Sequence, residues 1–231
     1  MEYLEFERIL SAKRMQRYKD AANGDTRKAM ALYRNNLRLS QEMFTIVSCF
    51  EVALRNAIDG LLVTTLGDDW LRDSVQDNGI FSNGRMNETR KIIDKAYSRL
   101  NRQGIYSHSK LIAEMEFGVW KYMFSSLQYR ATGQCLLRAF PNKPRSSAAV
   151  QYNNTYIFNE LDKVNSLRNR IAHHEPICFR LHESEIDTSY IINEYQKIQT
   201  LFSWMGIDSH SMLYGLDHVQ SVCAKIIVKS K

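Results

Sequence analysis

The sequence predicts an all-α protein, one helical-bundle domain of six to eight helices spanning residues 1–231. Apolar residues recur at three- and four-residue spacing, the helical period, and no stretch keeps the strict alternation of a half-buried strand. Proline and glycine are too few, 3 and 10 in 231 residues, for the many turns of a β-sandwich or barrel. Amphipathic helices must bury their apolar stripes on one another, and a bundle is the architecture that does so.

Each element has its own signal. Thr26 to about Leu66 reads as one or two helices, with Ser40 as a cap in the middle and Gly67 as the stop. Met43, Ile46, Val47, Phe50, Ala53 and Leu54 form its apolar stripe. From Gly67-Asp68-Asp69-Trp70 to Gly84 the chain is polar and rich in Gly, Asn and Asp, a connection. A helix follows from Asn87 to Asn101, and another from Ser109 carries Leu111, Ile112, Met115, Phe117, Trp120 and Phe124. Pro141 and Pro144 break the chain. A long helix then runs from Ser147 to about His174, ended by Pro176, which disfavours helical geometry at Glu175. Cys178–Ile186 leaves room for a short hairpin. Asp187 caps a helix to Met205, stopped by Gly206, and a last helix covers Ser211 to Val228, so the C-terminal helices span 187–228.

Composition excludes several classes. With 44% hydrophobic and 24% charged residues, wholesale disorder is out. The four cysteines, Cys49, Cys135, Cys178 and Cys223, include no close pair, so a reducing compartment is expected, with Cys49 as a buried free thiol. The N-terminus carries acids early and lacks the basic and apolar regions of a signal peptide. No apolar run approaches the roughly 20 residues that span a bilayer; Ile112–Phe124 is interrupted by Glu114, Glu116 and Lys121. The expectation is a soluble, cytoplasmic protein with no membrane partner. A net charge of +6 permits a polyanionic partner without requiring one.

The densest polar constellation is Leu167-Arg168-Asn169-Arg170-Ile171-Ala172-His173-His174-Glu175-Pro176. At about 100° per residue, Asn169 shares a face with His173, and Arg170 with His174. Arg168 and His173 are about 140° apart, so they converge on one ligand only through the length of Arg, a frayed turn or a second subunit. A helix C-terminus favours imidazolium while neighbouring arginines oppose it, a balance suited to proton transfer. Arginine beside such a histidine suits a phosphodiester and its transition state. The same string also fits a solvated polar helix end, and Arg102 with His108 repeats the spacing by chance, across Gln103-Gly104.

Other candidates are weaker. Glu51 and Arg55 form an i,i+4 pair that either buttresses the site or bridges a helix surface. Trp70, Phe117 and Trp120 are core before they are base-stacking platforms. His173, His174 and Cys178 lack a fourth ligand for zinc, so no metal and no cofactor is expected. The Lys and Arg residues of Arg85–Arg102 and Arg138–Arg145 either contact an RNA backbone or form a solvated face. Phosphate loops and common hydrolase motifs are absent.

The string Leu167 to Ile177 resembles the signature of the Abi-like (abortive infection) proteins, of the HEPN superfamily. Three further segments are similar to motifs of that family: Leu32-Tyr33-Arg34-Asn35-Asn36-Leu37-Arg38-Leu39-Ser40, Phe50-Glu51-Val52-Ala53-Leu54-Arg55-Asn56-Ala57-Ile58 and Glu116-Phe117-Gly118-Val119-Trp120. With Gly67-Asp68-Asp69-Trp70 they keep the family's order and cover about Ser11 to Ile177. The resemblance implies an all-helical endoribonuclease acting without metal, in phage defence or as a toxin. Arg168 would hold the scissile phosphate, Asn169 would orient the motif and His173 would transfer protons, with Arg170, His174, Glu175, Glu51 and Arg55 in support. His174 is the rival for proton transfer. A 2′-OH attack would leave a 2′,3′-cyclic phosphate. The family's pairing of two motifs implies a homodimer with a composite site, with an antitoxin or regulatory RNA as further partners. The alternative is a helical module that binds RNA, or a partner, without cutting.

Overall fold

The computed structural model describes residues 1–230. Two short helices open the chain, α1 (Tyr3–Leu10) and α2 (Ala12–Ala21), separated at Ser11, whose hydroxyl accepts the Arg14 amide at 3.3 Å and caps α2. Asp25 Oδ1 takes the amides of Arg27 and Lys28 at 2.9 and 3.0 Å and so starts α3 (Thr26–Leu66), a single helix of 41 residues. Ser40 lies in its interior and begins nothing. Gly67 stops it as expected, at φ +101°, with its amide still bonded to Val63 O at 2.9 Å.

The polar connection holds one helical turn, α4 (Trp70–Asp73), before α5 (Asn87–Arg102). The next expected helix is two: α6 (His108–Ala113), capped by Ser107 rather than Ser109, and α7 (Phe117–Tyr122). Glu116 is extended at ψ 162°, which breaks the apolar run between them. After α8 (Ser126–Ala131), α9 (Asn154–Ala172) starts seven residues later than Ser147. Residues 147–153 instead fold onto serine hydroxyls, Val150 N–H on Ser147 and Tyr152 N–H on Ser146, and Asn153 Oδ1 caps the helix through the Tyr156 amide at 3.0 Å. α10 (Ser189–Trp204) is capped by Asp187 as expected. Gly215, at φ +73°, splits the last expected helix into α11 (Ser209–Met212) and α12 (Val219–Ser230).

The protein is all-α. Twelve α-helices occur among the described residues; seven have eight residues or more, and the other five are pieces of four to six. The segment left open as a hairpin closes through one isolated antiparallel bridge, Phe179 to Ile186.

Two compact units are built from the chain, and their boundary falls inside α3, α9 and α10. The first holds Met1–Ser48, Ser166–Thr200 and the residues from Asp208 on. Its core carries an edge-to-face aromatic set, Phe6 on Tyr33, Tyr33 on Tyr18 and Tyr18 on Phe179. Glu42 of α3 accepts the His218 amide at 3.1 Å and caps α12. The second unit holds Cys49–Asn165 and Leu201–Ile207. Phe50, Trp70, Phe81, Phe117, Trp120, Phe124, Phe140 and Phe202 are fully buried in it, so the aromatic residues weighed as stacking platforms are core. Asp59 Oδ1 ties α3 to its neighbours, accepting Trp70 Nε1–H at 2.7 Å and pairing with His108 Nε2 at 2.8 Å. That pairing gives His108 a structural place, apart from the Arg102 spacing. No helix is long and apolar enough to cross a membrane among the described residues.

Candidate functional site

The last turn of α9 and the reversal after it carry the polar constellation, all of it in the first unit. Leu167 and Ile171 anchor the turn in the core, leaving Asn169 and His173 exposed and Arg168 half-buried. His173 follows the last helical residue, and its amide completes the ladder to Asn169 O at 2.9 Å, so those two keep the shared face their spacing predicts. Arg168 differs. Its Nε is buried and has no hydrogen-bond partner among the described residues. A buried guanidinium donor without an acceptor is uncommon and calls for a physical account.

The helix ends in a Schellman motif. His174 adopts a left-handed conformation at φ +57°, its amide bonds Ile171 O at 2.9 Å, and the Glu175 amide bonds Arg170 O at 2.9 Å. This reversal turns His174 off the face it would share with Arg170. Arg170 turns instead to Glu175, at 3.3 Å, and to Pro176 O at 3.1 Å, and it stacks on the Tyr190 ring of α10 at 5.1 Å. Arg170 is thus a local brace, and Glu175 is its counter-ion.

Two contacts from distant segments hold the reversal. Arg14 Nη1 of α2 donates to His174 O at 2.8 Å. Asn36 of α3, 3% exposed, accepts the amides of Ile177 and Cys178 at 2.9 and 3.2 Å with one oxygen. Arg14, Asn36 and Tyr190 were not legible as site residues. Only Asn36 carried a signal, as part of the Leu32–Ser40 segment. The chain beyond is fixed too, since Arg17 donates to Arg180 O at 2.6 Å and lies over the Phe179 ring at 4.6 Å.

The remaining candidates fall elsewhere. Glu51 and Arg55 belong to the second unit, half-buried on α3, where Arg55 Nε donates to Asn56 Oδ1 at 3.5 Å. Cys178 is fully buried, and burial pushes its thiol up to about 12, so it is neither a nucleophile nor a ready metal ligand beside the exposed His173 and His174. No group of three or more His, Cys, Asp or Glu is placed to hold a metal among the described residues. Cys49 is half-buried, less enclosed than expected, since at about 100° per residue it falls at the edge of the α3 stripe. In the second unit Arg85, Lys95, Arg99 and Arg102 line a groove of about 800 Å³, where Arg99 pairs with Glu114. Arg138 and Arg145 are exposed.

At the end of α9, then, an exposed imidazole lies one residue from a carbonyl held by one arginine and five residues from another arginine with an unmet donor. Such a set can move protons and hold an anion. An all-α protein with an arginine–asparagine–histidine helix terminus is the class this defines. The chain belongs to the Abi-like protein family, whose model matches residues 2–178, well over half of its length. No curated protein and no solved structure matches it.

Proposed function

We propose that the protein is an endoribonuclease of the HEPN type acting in abortive infection or as a toxin, and that the end of α9 is its active site. The observation that carries this reading is an exposed His173 at the end of α9, five residues after an Arg168 whose buried Nε has no hydrogen-bond partner among the described residues. Membership of the Abi-like family supports it.

In the proposed reaction Arg168 neutralises the phosphate and Asn169, on the His173 face, orients the motif. The 2′-oxygen attacks phosphorus as His173 removes its proton, and the P–O5′ bond breaks. The leaving oxygen takes a proton from the second motif of a homodimer, giving a 2′,3′-cyclic phosphate and a 5′-hydroxyl. Every step uses side chains, with no metal. His173 carries the proton; His174 shapes the turn. Purified wild type, Arg168→Ala and His173→Ala should be compared on RNA in EDTA. Cleavage by wild type alone is expected, and equal activity in all three proteins sinks the reading.

One observation favours a second reading, a module that binds RNA without cutting it. Within a single chain Arg168 is half-buried while His173 is exposed, so one chain alone does not present both around one phosphate. Salt-sensitive RNA binding with no new ends would select this reading. In either case an antitoxin or regulatory RNA would act by covering the end of α9.

A further inference from the structure

The reversal after α9 is held by residues about 140 and 160 positions away in sequence, Asn36 and Arg14, and the two contacts differ in kind. Asn36 is buried, and its single oxygen satisfies two successive amides, Ile177 and Cys178. Buried amides must find acceptors, so this bond pair fixes where the chain leaves the turn that bears His173. Arg14 is exposed. It donates one N–H to His174 O, and its other guanidinium N–H groups have no hydrogen bond or ion pair among the described residues. A guanidinium carries five donors in a fixed fork, so four remain for a ligand at the turn, next to His173.

We propose that Arg14 and Asn36 complete the site at the end of α9: Arg14 as a phosphate-binding residue for RNA beside His173, Asn36 as a positioning residue that holds the His173 turn. This rests on the reading of the α9 end as an RNA-cleaving site, and it adds two elements, α2 and α3, that the Arg168–His173 string does not contain. Two of the three arginines at this turn then keep unpaired donors. Arg14 is exposed with four N–H groups left, Arg168 has a buried Nε with no partner among the described residues, and Arg170 stays committed to Glu175 and Pro176 O. The brace also accounts for the Leu32–Ser40 motif, because Asn36 is its one polar side chain that is fully enclosed.

The two roles have different signatures. Binding of fluorescein-labelled oligouridylate is measured against salt in a His173→Ala background, where no RNA is cut. Arg14→Ala should weaken binding and lower the slope of log affinity on log salt by about one, the mark of one lost phosphate contact, and Arg14→Lys should restore the slope. An unchanged slope in Arg14→Ala overturns the role of Arg14. For Asn36, cleavage kinetics of Asn36→Leu should show kcat down about 10- to 100-fold with KM within about twofold, the expected result of a misplaced group. Asn36→Asp keeps both acceptor bonds and should recover most of kcat. Amide exchange at Ile177 and Cys178 should quicken in Asn36→Leu, and the His173 ring resonances should move. Normal kcat, or unmoved His173 resonances, in a folded Asn36→Leu protein overturns the positioning role. Where Asn36→Leu fails to fold, Asn36→Asp with wild-type His173 resonances upholds that role, and with shifted ones overturns it. If the wild type does not cut RNA at all, the cleavage reading falls, while the salt slope and the resonances still decide the brace.

Discussion

His174 occupies a left-handed position that helix ends usually give to glycine. A side chain there costs on the order of 1 kcal/mol. His174→Gly should therefore raise unfolding stability by about 0.5–1 kcal/mol in urea titration and keep RNA cleavage, whereas His173→Ala should lose cleavage without a stability change. That contrast separates two neighbours that composition could not. The predicted Arg170–His174 face failed for the same reason, because one left-handed residue breaks the helical period on which the angle arithmetic rests. Asn36 was illegible as a site residue because its partners lie 141 and 142 residues away, beyond any periodicity. Cys178 and Cys223 make a second prediction. Burial pushes their thiols up to about 12 and about 11 from an ordinary value near 9. The folded state keeps protons that the unfolded chain releases, so stability is intact below about pH 8.5 and falls as pH rises toward 11–12. Melting temperatures between pH 7 and 10.5 should show the decline, and Cys178→Ala should flatten it.

Among the elements, those with strong periodic signals were legible and their edges were less so. α3 and α5 lie where the spacing put them, and Gly67 and Gly206 stop their helices in left-handed turns. The start of α9 moved because Ser146 and Ser147 hydroxyls bond backbone amides more locally than a helix would, a competition that spacing does not display. Its true cap is Asn153. Asn153→Ala should cost about 1 kcal/mol and speed amide exchange in the first turn of α9. If the exchange stays unchanged, the cap contributes nothing. α6 and α7 separate at Glu116, an extended residue inside an apolar run that reads as continuous. α1 and α2 carried no expectation, yet α2 supplies Arg14 and Arg17 to the motif loop. Both are short, and they show their purpose only through what they hold.

For the whole molecule, the helical class followed from composition and period, while the division into two units did not, because α3 and α9 each run through both. With His173 alone assigned to proton transfer, each motif is short of an acid or a base, so a homodimer is expected. Light scattering at micromolar protein should return twice the 26.9 kDa chain mass, and a monomer would count against a composite site. The +6 charge now has a partial address, with Arg168 in the last turn of α9 and Arg14 of α2 bonded to the turn after it, while Arg170 is paired with Glu175. The most direct measurement is the chemistry of the RNA ends produced by the wild-type protein in EDTA. The expected products are 2′,3′-cyclic phosphate and 5′-hydroxyl ends that vanish in His173→Ala. Ends with 3′-hydroxyl and 5′-phosphate, or the same products from His173→Ala, would contradict the proposed reaction.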